Sequence, residues 1–332
     1  MTEIVFLAGM SHGPMLILPP ERWNERARDE MSNPEPHINK PDGTFVTYAD
    51  YFKETGNRYG SEITIEKFRG KAGECREALD QLAKDVRNAR PDIVVIIGND
   101  QRELFGPHNS PGLAVYCGAE IATYRRDPAG MPGWRIAVSK AYGMDAVRRY
   151  RAAPEAAEWL VEQLVADEFD VATIGSVPEP ERLGFGHAWG YVAERILKGM
   201  NARILPVMIN TMYPPNVPTP ARCRRFGAAL ARALDELPGD LRVAVIASGG
   251  LSHFICEEEF DRGILDAILG NDLDYLDGIP EQRLTSGSSE IRSWITMAGM
   301  LGASRKNRWL AYVPIRRTPA GTGQGMAFGV WA

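Results

Sequence analysis

The sequence predicts an α/β sandwich around a mostly parallel sheet, with its active site at the carboxyl ends of the strands. Two observations carry this. Apolar runs of strand length alternate with helical patterns along most of the chain, which puts helices on both faces of a largely parallel sheet. Polar, glycine-containing clusters follow several of those runs directly, and open α/β sheets bind ligands beyond the carboxyl ends of their strands.

Taken in order, Glu3 to Gly9 is a short apolar run ending at small residues and reads as a buried strand. Ser11-His12-Gly13-Pro14 is turn-forming and sets His12 just past that strand. Residues 19–60 are polar and rich in Pro, Asn, Asp and Gly. Such a length is long for a structureless connection, so it should be functional, partly helical or a lid. From Ile63 to Asn88 the pattern is helical, with Phe68, Cys75, Leu79, Leu82 and Val86 on one face. Pro91 stops it. Asp92 to Gly98 is almost continuously β-branched, as in a strand buried on both faces, and Asn99-Asp100-Gln101 follows.

The alternation repeats downstream. Helical patterns cover 154–169, 187–200, 218–237 and 258–269; strand patterns cover 171–174, 203–210 and 241–247. No composition break forces a division, so residues 1–332 read as a single catalytic domain. The run Cys256 to Glu259, extended by Asp261 and Arg262, reads as the solvated start of a helix. The stretch Thr318 to Gly325 resembles a phosphate loop but lacks the G-K-[ST] ending.

The bulk properties narrow the function. A net charge of −5 without a Lys/Arg cluster gives no reason to expect nucleic acid. No apolar run is long enough to cross a bilayer, so a cytoplasmic enzyme without membrane contact is expected. Four scattered cysteines with no C-x-x-C pair read as reduced, mostly buried thiols.

The chain has five histidines, and His12, His187 and His253 fall in the polar clusters. Gly249-Gly250 and Ser252 allow the backbone close to His253. His187 heads a helix, where the positive end of the macrodipole favours a neutral imidazole suited to accepting a proton. Glu290 follows Ser286-Gly-Ser-Ser289 and precedes an apolar stripe of Ile291, Trp294, Ile295, Ala298 and Leu301. Charge complementing the helix dipole, about 0.3–1 kcal/mol, explains a Glu in the first turn. It does not explain one on the side of Trp294. A carboxylate metal ligand explains both.

These segments, in this order, resemble the class III extradiol ring-cleavage dioxygenases, the superfamily of the protocatechuate 4,5-dioxygenase β-subunit. The matching pieces are Ala8 to Pro14, Ile97 to Asp100, Gly186 to Gly190, Ala247 to His253 and Ser289 to Trp294. The subgroup they look most like is the gallate and 3-O-methylgallate dioxygenases. The resemblance implies Fe(II), or another divalent metal, held by two His and one carboxylate, with O2 and a small hydroxylated or methoxylated aromatic acid as substrates. By position His12 and Glu290 would be ligands, His253 the acid/base, and His187 a neighbour of the O2 pocket. Ser252, Asp100, Trp189 and Arg292 would surround the substrate, with Arg292 or the Thr285-Ser286 loop meeting its carboxylate.

One position departs from the pattern. Where the family has a second metal histidine after Asn-Asp, this chain has Gln101. Gln101 could ligate through oxygen, His37 or His108 could supply the nitrogen, or the site could work without metal. The last case corresponds to a C–C bond hydrolase or lyase using His253 and His187 as acid and base. A non-enzymatic subunit that kept the fold is a further alternative. Self-association, and a small α-subunit-like partner such as some members use, complete the expectations.

Overall fold

A computed structural model describes residues 1–302 and 304–332. Its strands are β1 (Glu3–Met10), β2 (Ile38–Asn39), β3 (Phe45–Val46), β4 (Ile93–Gly98), β5 (Leu113–Tyr116), β6 (Glu120–Ala122), β7 (Arg149–Arg151), β8 (Ala172–Ile174), β9 (Arg203–Ile209), β10 (Arg242–Ser248), β11 (Asn307–Arg316) and β12 (Gly323–Trp331). Its α-helices are α1 (Trp23–Met31), α2 (Tyr48–Thr55), α3 (Ile65–Ala89), α4 (Gly133–Ala141), α5 (Pro154–Ala166), α6 (His187–Arg195), α7 (Pro220–Asp235), α8 (Glu258–Gly270), α9 (Leu273–Asp277) and α10 (Ile291–Leu301).

The described residues form an eight-stranded sheet in the order β11-β12-β1-β10-β4-β9-β5-β8. Its centre, β1, β10, β4 and β9, is parallel throughout. The flanks reverse direction: β12 is antiparallel to β1, and β5 to β9. The α/β sandwich on a mostly parallel sheet is therefore present, with antiparallel edges the alternation did not reveal. Residue types explain why one of them is silent in the sequence. Gly-rich β12 lacks the β-branched signature of a strand, yet all nine of its residues are buried.

Burial on both faces explains β4. Ile93, Val95 and Ile97 pack into the layer formed by α5, α7, α8 and α10, while Val94 and Ile96 face α3 and α6. Each such side chain contributes about 1.5–3 kcal/mol when fully buried. The polar residues that follow β4 thus hang from a firmly held strand. Threonine caps set three helix starts: Thr47, Thr64 and Thr219 accept from the backbone N–H of Asp50, Lys67 and Arg222.

Residues 19–60 are partly helical, through α1 and α2, with the small β2–β3 hairpin between them. Asn39 ties this segment down: its amide donates to the Thr285 carbonyl and accepts from the backbone of Phe254. One reading of the sequence needs correction. Asp261 is not solvated; it is fully buried, and accepts from the N–H and hydroxyl of Ser252 and from the Tyr312 hydroxyl. The 318–325 stretch, already lacking the phosphate-loop ending, is the turn between β11 and β12, running into β12. Thr318, Ala320 and Thr322 in it are fully buried, and Glu30 of α1 accepts from both Arg317 and Thr322.

All four cysteines are free, three of them buried. No helix among the described residues is long and apolar enough to cross a membrane.

Candidate metal centre and active site

Because the central strands run parallel, the segments after β1, β4 and β10 emerge on one side. A cavity of about 530 Å³ opens there, lined among others by His12, Gln101, His187, His253, Glu290 and Gln324. That volume suits a small ligand.

Three of these side chains converge. His12, His187 and Glu290 are all buried, and each offers a ligand atom within 4.8 Å of the other two. Nε2 of His12 lies 3.2 Å from Oε1 of Glu290, and Nε2 of His187 lies 3.9 Å from the same oxygen. The far nitrogens are held from behind. Ser248 donates its hydroxyl to the Ala188 carbonyl, so its oxygen can only accept from Nδ1–H of His12, at 2.9 Å. Oε1 of Glu103 accepts from Nδ1–H of His187 at 3.3 Å. Both rings therefore turn Nε2 toward a carboxylate oxygen. That contact is repulsive until a proton or a cation lies between them.

The charges point the same way. Burial opposes a charge on His187, but Glu103 and Glu290 outweigh it and hold its pKa up to about 9. Burial likewise opposes ionisation of Glu290, yet His12 and then His187 keep its carboxyl well below the usual range. The helix dipole behind His187 is thus overruled by two carboxylates. Surroundings that favour a proton on Nε2 also favour a divalent cation, and two imidazoles with one carboxylate are a donor set such ions accept. The outer carboxylate Glu103 and hydroxyl Ser248 are the partners that orient metal-bound histidines. The residues fit a metal.

Glu290 sits where α10 begins, after the 3₁₀ turn Ser286–Glu290. The preceding serines build that turn instead of capping the helix, and the Glu290 side chain makes no cap bond. Its Oε2 accepts from the Gly250 N–H at 2.8 Å. Gln101 directs its amide nitrogen to Oε1 of Glu290 at 3.3 Å. Gln101 therefore borders the cluster, while the second imidazole comes from His187. Neither His37 nor His108 is there. His37 packs its ring on Phe254, and His108 is exposed beside Gly106.

His253 lines the cavity with Nδ1–H fixed on the Leu251 carbonyl at 2.9 Å, leaving Nε2 unprotonated. Burial first of all lowers its pKa from the ordinary histidine range. The close approach at this ring comes from Gly287, where an added Cβ would stand 1.8 Å from the ring's Cδ2. Gly186 does the same for Glu103, whose carboxylate carbon would be 2.5 Å from a Cβ there.

The four residues expected to touch substrate are placed elsewhere, outside the cavity wall. Ser252 is fully buried on Asp261. The Asp100 carboxylate accepts three backbone N–H bonds, from Arg102, Leu104 and Phe105. Trp189 donates to the Ile96 carbonyl beneath the sheet. Arg292 is buried and bonded to the carbonyls of Pro218, Thr211 and Leu284. Each of these residues lies within two positions of one that lines the cavity, and adjacency in sequence did not separate them. Ser286 does line the cavity. The sequence reading also missed Glu103, Tyr142, Gln324 and the arginines of the wall. Glu103 had a signal, lying two residues beyond Gln101; the others come from segments without a motif.

Residues 66–322 match the family described as the catalytic LigB subunit of aromatic ring-opening dioxygenase. Glu103, His187, His253 and Glu290 lie inside that segment and His12 before it. The chain is 27% identical over 164 residues to a gallate dioxygenase of Pseudomonas putida, covering 46% of each protein. It is 26% identical over 172 residues to a 2,3-dihydroxyphenylpropionate/2,3-dihydroxicinnamic acid 1,2-dioxygenase of Comamonas testosteroni, covering 51% of this chain and 45% of that one. The chain thus spans about half the length of the curated relatives it matches. A solved structure of an uncharacterized protein from Escherichia coli K12 aligns with a TM-score of 0.43 at 16% identity, over 76% of this chain and 91% of that one.

Proposed function

The chain belongs to the family of the catalytic LigB subunit of aromatic ring-opening dioxygenase, and from that premise we propose that it opens the ring of a hydroxylated or methoxylated aromatic acid in the extradiol manner, using O2 and a non-haem Fe(II). The observation that carries the proposal is the convergence of His12, His187 and Glu290 within 4.8 Å. These three would hold the ion, and Gln101 would steady Glu290 through its amide. When bound, the metal would supply Lewis-acid activation of the ring oxygens and the redox chemistry toward O2.

The chain's own residues do the rest. His253 takes a phenolic proton at Nε2, because its Nδ1–H is committed to Leu251, and later returns that proton as the ring opens. Glu103 and Ser248 keep the two imidazoles in the tautomer that presents Nε2. Tyr142 ties its hydroxyl to the His12 carbonyl at 2.6 Å and contributes its ring to the wall. The 19–60 segment acts as a fixed cover, held by Asn39 and reaching the cavity through Arg26. A sheet whose strands run from Glu3 to Trp331 supports one catalytic domain over 1–332.

The test is metal content and oxygen uptake of anaerobically purified protein with gallate-type catechols. Stoichiometric iron and uptake that chelation abolishes are the expected results. Ring-bond cleavage that persists under chelation without oxygen would instead establish a hydrolase or lyase run by His253 and His187.

A further inference from the structure

One wall of the cavity holds more positive charge than its surroundings balance. Arg26, Arg135 and Arg317 all line it, alongside Trp134 and Phe254. The guanidinium of Arg26 lies 5.2 Å from the Trp134 ring centre and 5.5 Å from that of Phe254. Arg135 lies 5.5 Å from Trp134, and Arg317 lies 5.6 Å from Phe254. Two aromatic faces and three cations therefore share one corner.

Only one buried carboxylate answers them. Glu30 is bonded by Arg317 and by the Thr322 hydroxyl, so its acceptor sites are largely filled. Arg26 reaches it only at 3.6 Å, beyond hydrogen-bonding length. Arg135 has no ion-pair partner among the described residues, and Asp29, on the same helix as Arg26, is exposed. The Arg26 and Arg317 side chains are 15% and 5% exposed, so water screens them little. Burial and then the charge of Arg317 lower the Arg26 pKa to about 10. By contrast Arg126, on another part of the wall, is paired with Glu103.

We infer that Arg26 and Arg135, backed by Arg317, form a carboxylate-binding subsite that orients an aromatic acid in the cavity. A carboxylate there would accept from donors that now lack an acceptor and relieve the crowding of like charge. Planar guanidinium donors match its two oxygens, and the Trp134 and Phe254 faces match an attached ring. This deepens the ring-cleavage reading by assigning the acid-recognition residues. It replaces Arg292, which is absent from the cavity wall and gives its Nε and Nη1 to backbone carbonyls.

Two readouts separate this inference from the reading it rests on. In metal-free protein, tryptophan fluorescence should report binding of 3,4-dihydroxybenzoate about ten- to a hundredfold tighter than of its methyl ester. Arg135→Gln, a change at an exposed side chain, and Arg26→Gln should each shrink that ratio toward one, with the ester affinity unchanged. In iron-loaded protein the same variants should raise KM for the acid and leave kcat within a fewfold. Equal binding of acid and ester, no binding of either, or a ratio that survives both substitutions would overturn the subsite. A retained acid preference in a protein that never consumes oxygen would leave the subsite standing and remove the dioxygenase.

Discussion

Glu103 stands directly behind His187: its Oε1 is 3.3 Å from Nδ1, while Nε2 of the same ring faces Glu290 at 3.9 Å. A buried imidazole is thus gripped between two carboxylates, one fixing its orientation and one sharing whatever binds at the front.

Replacing Glu103 with Gln keeps the shape but removes the charge that favours an Nδ1 donor. Metal affinity should fall about 10- to 100-fold, the usual cost of losing such an outer partner, without unfolding. Chelator competition with Fe(II) or Zn(II) measures it. Unchanged affinity would leave Glu103 no positioning role.

His253→Gln should separate chemistry from metal binding. Iron content should match wild type while kcat drops about 10²- to 10⁴-fold; His12→Ala, His187→Ala and Glu290→Ala should each lose the metal. The pH profile carries the sign. A base must be unprotonated, so kcat/KM rises with pH as His253 loses its proton. Burial lowers its pKa, so that limb should lie below the ordinary value of about 6.5. In His253→Gln the limb should vanish.

Gly287→Ala tests the packing of the same ring. An added methyl would stand 1.8 Å from Cδ2 of His253, so the imidazole must shift. A displacement near 1 Å can cost about 100-fold in rate. The expected outcome is a large fall in kcat with normal iron loading. Normal turnover would show that the ring's position is not critical.

Asp261 should make stability depend on pH. Burial, opposed by its bonds from Tyr312 and Ser252, pushes its carboxyl up to about 7, against about 3.9 unfolded. Between those values the folded state holds the extra proton, so stability falls as pH rises through the window. Thermal melts from pH 4 to 8 should show wild type losing stability relative to Asp261→Asn. A pH-independent difference between the two would contradict the shift.

Residue type alone sets His12 and His253 just past buried strands and Glu290 just before a buried helix face, and all three line the cavity. All five named apolar positions of α3, and the five of α10, are indeed buried. What stayed hidden were relationships between segments remote in sequence. Gln101 occupies the position of the expected ligand, yet the second imidazole of the cluster is that of His187, 86 residues later, because α6 starts against the end of β4. Ser252 reads as a substrate neighbour and Asp261 as a solvated residue until the fold shows them buried and bonded to each other. The arginine wall comes from α1, α4 and the β11–β12 turn, three places with no shared pattern.

The turn joining β11 to β12 has a practical corollary. Tips linking consecutive antiparallel strands usually tolerate inserted sequence and attract proteases. Here Thr318, Ala320 and Thr322 are sealed, with Arg317 and Thr322 gripping Glu30 of α1. An epitope tag or cleavage site spliced in at 318–322 should disrupt the molecule, and limited digestion should spare this bend while cutting elsewhere.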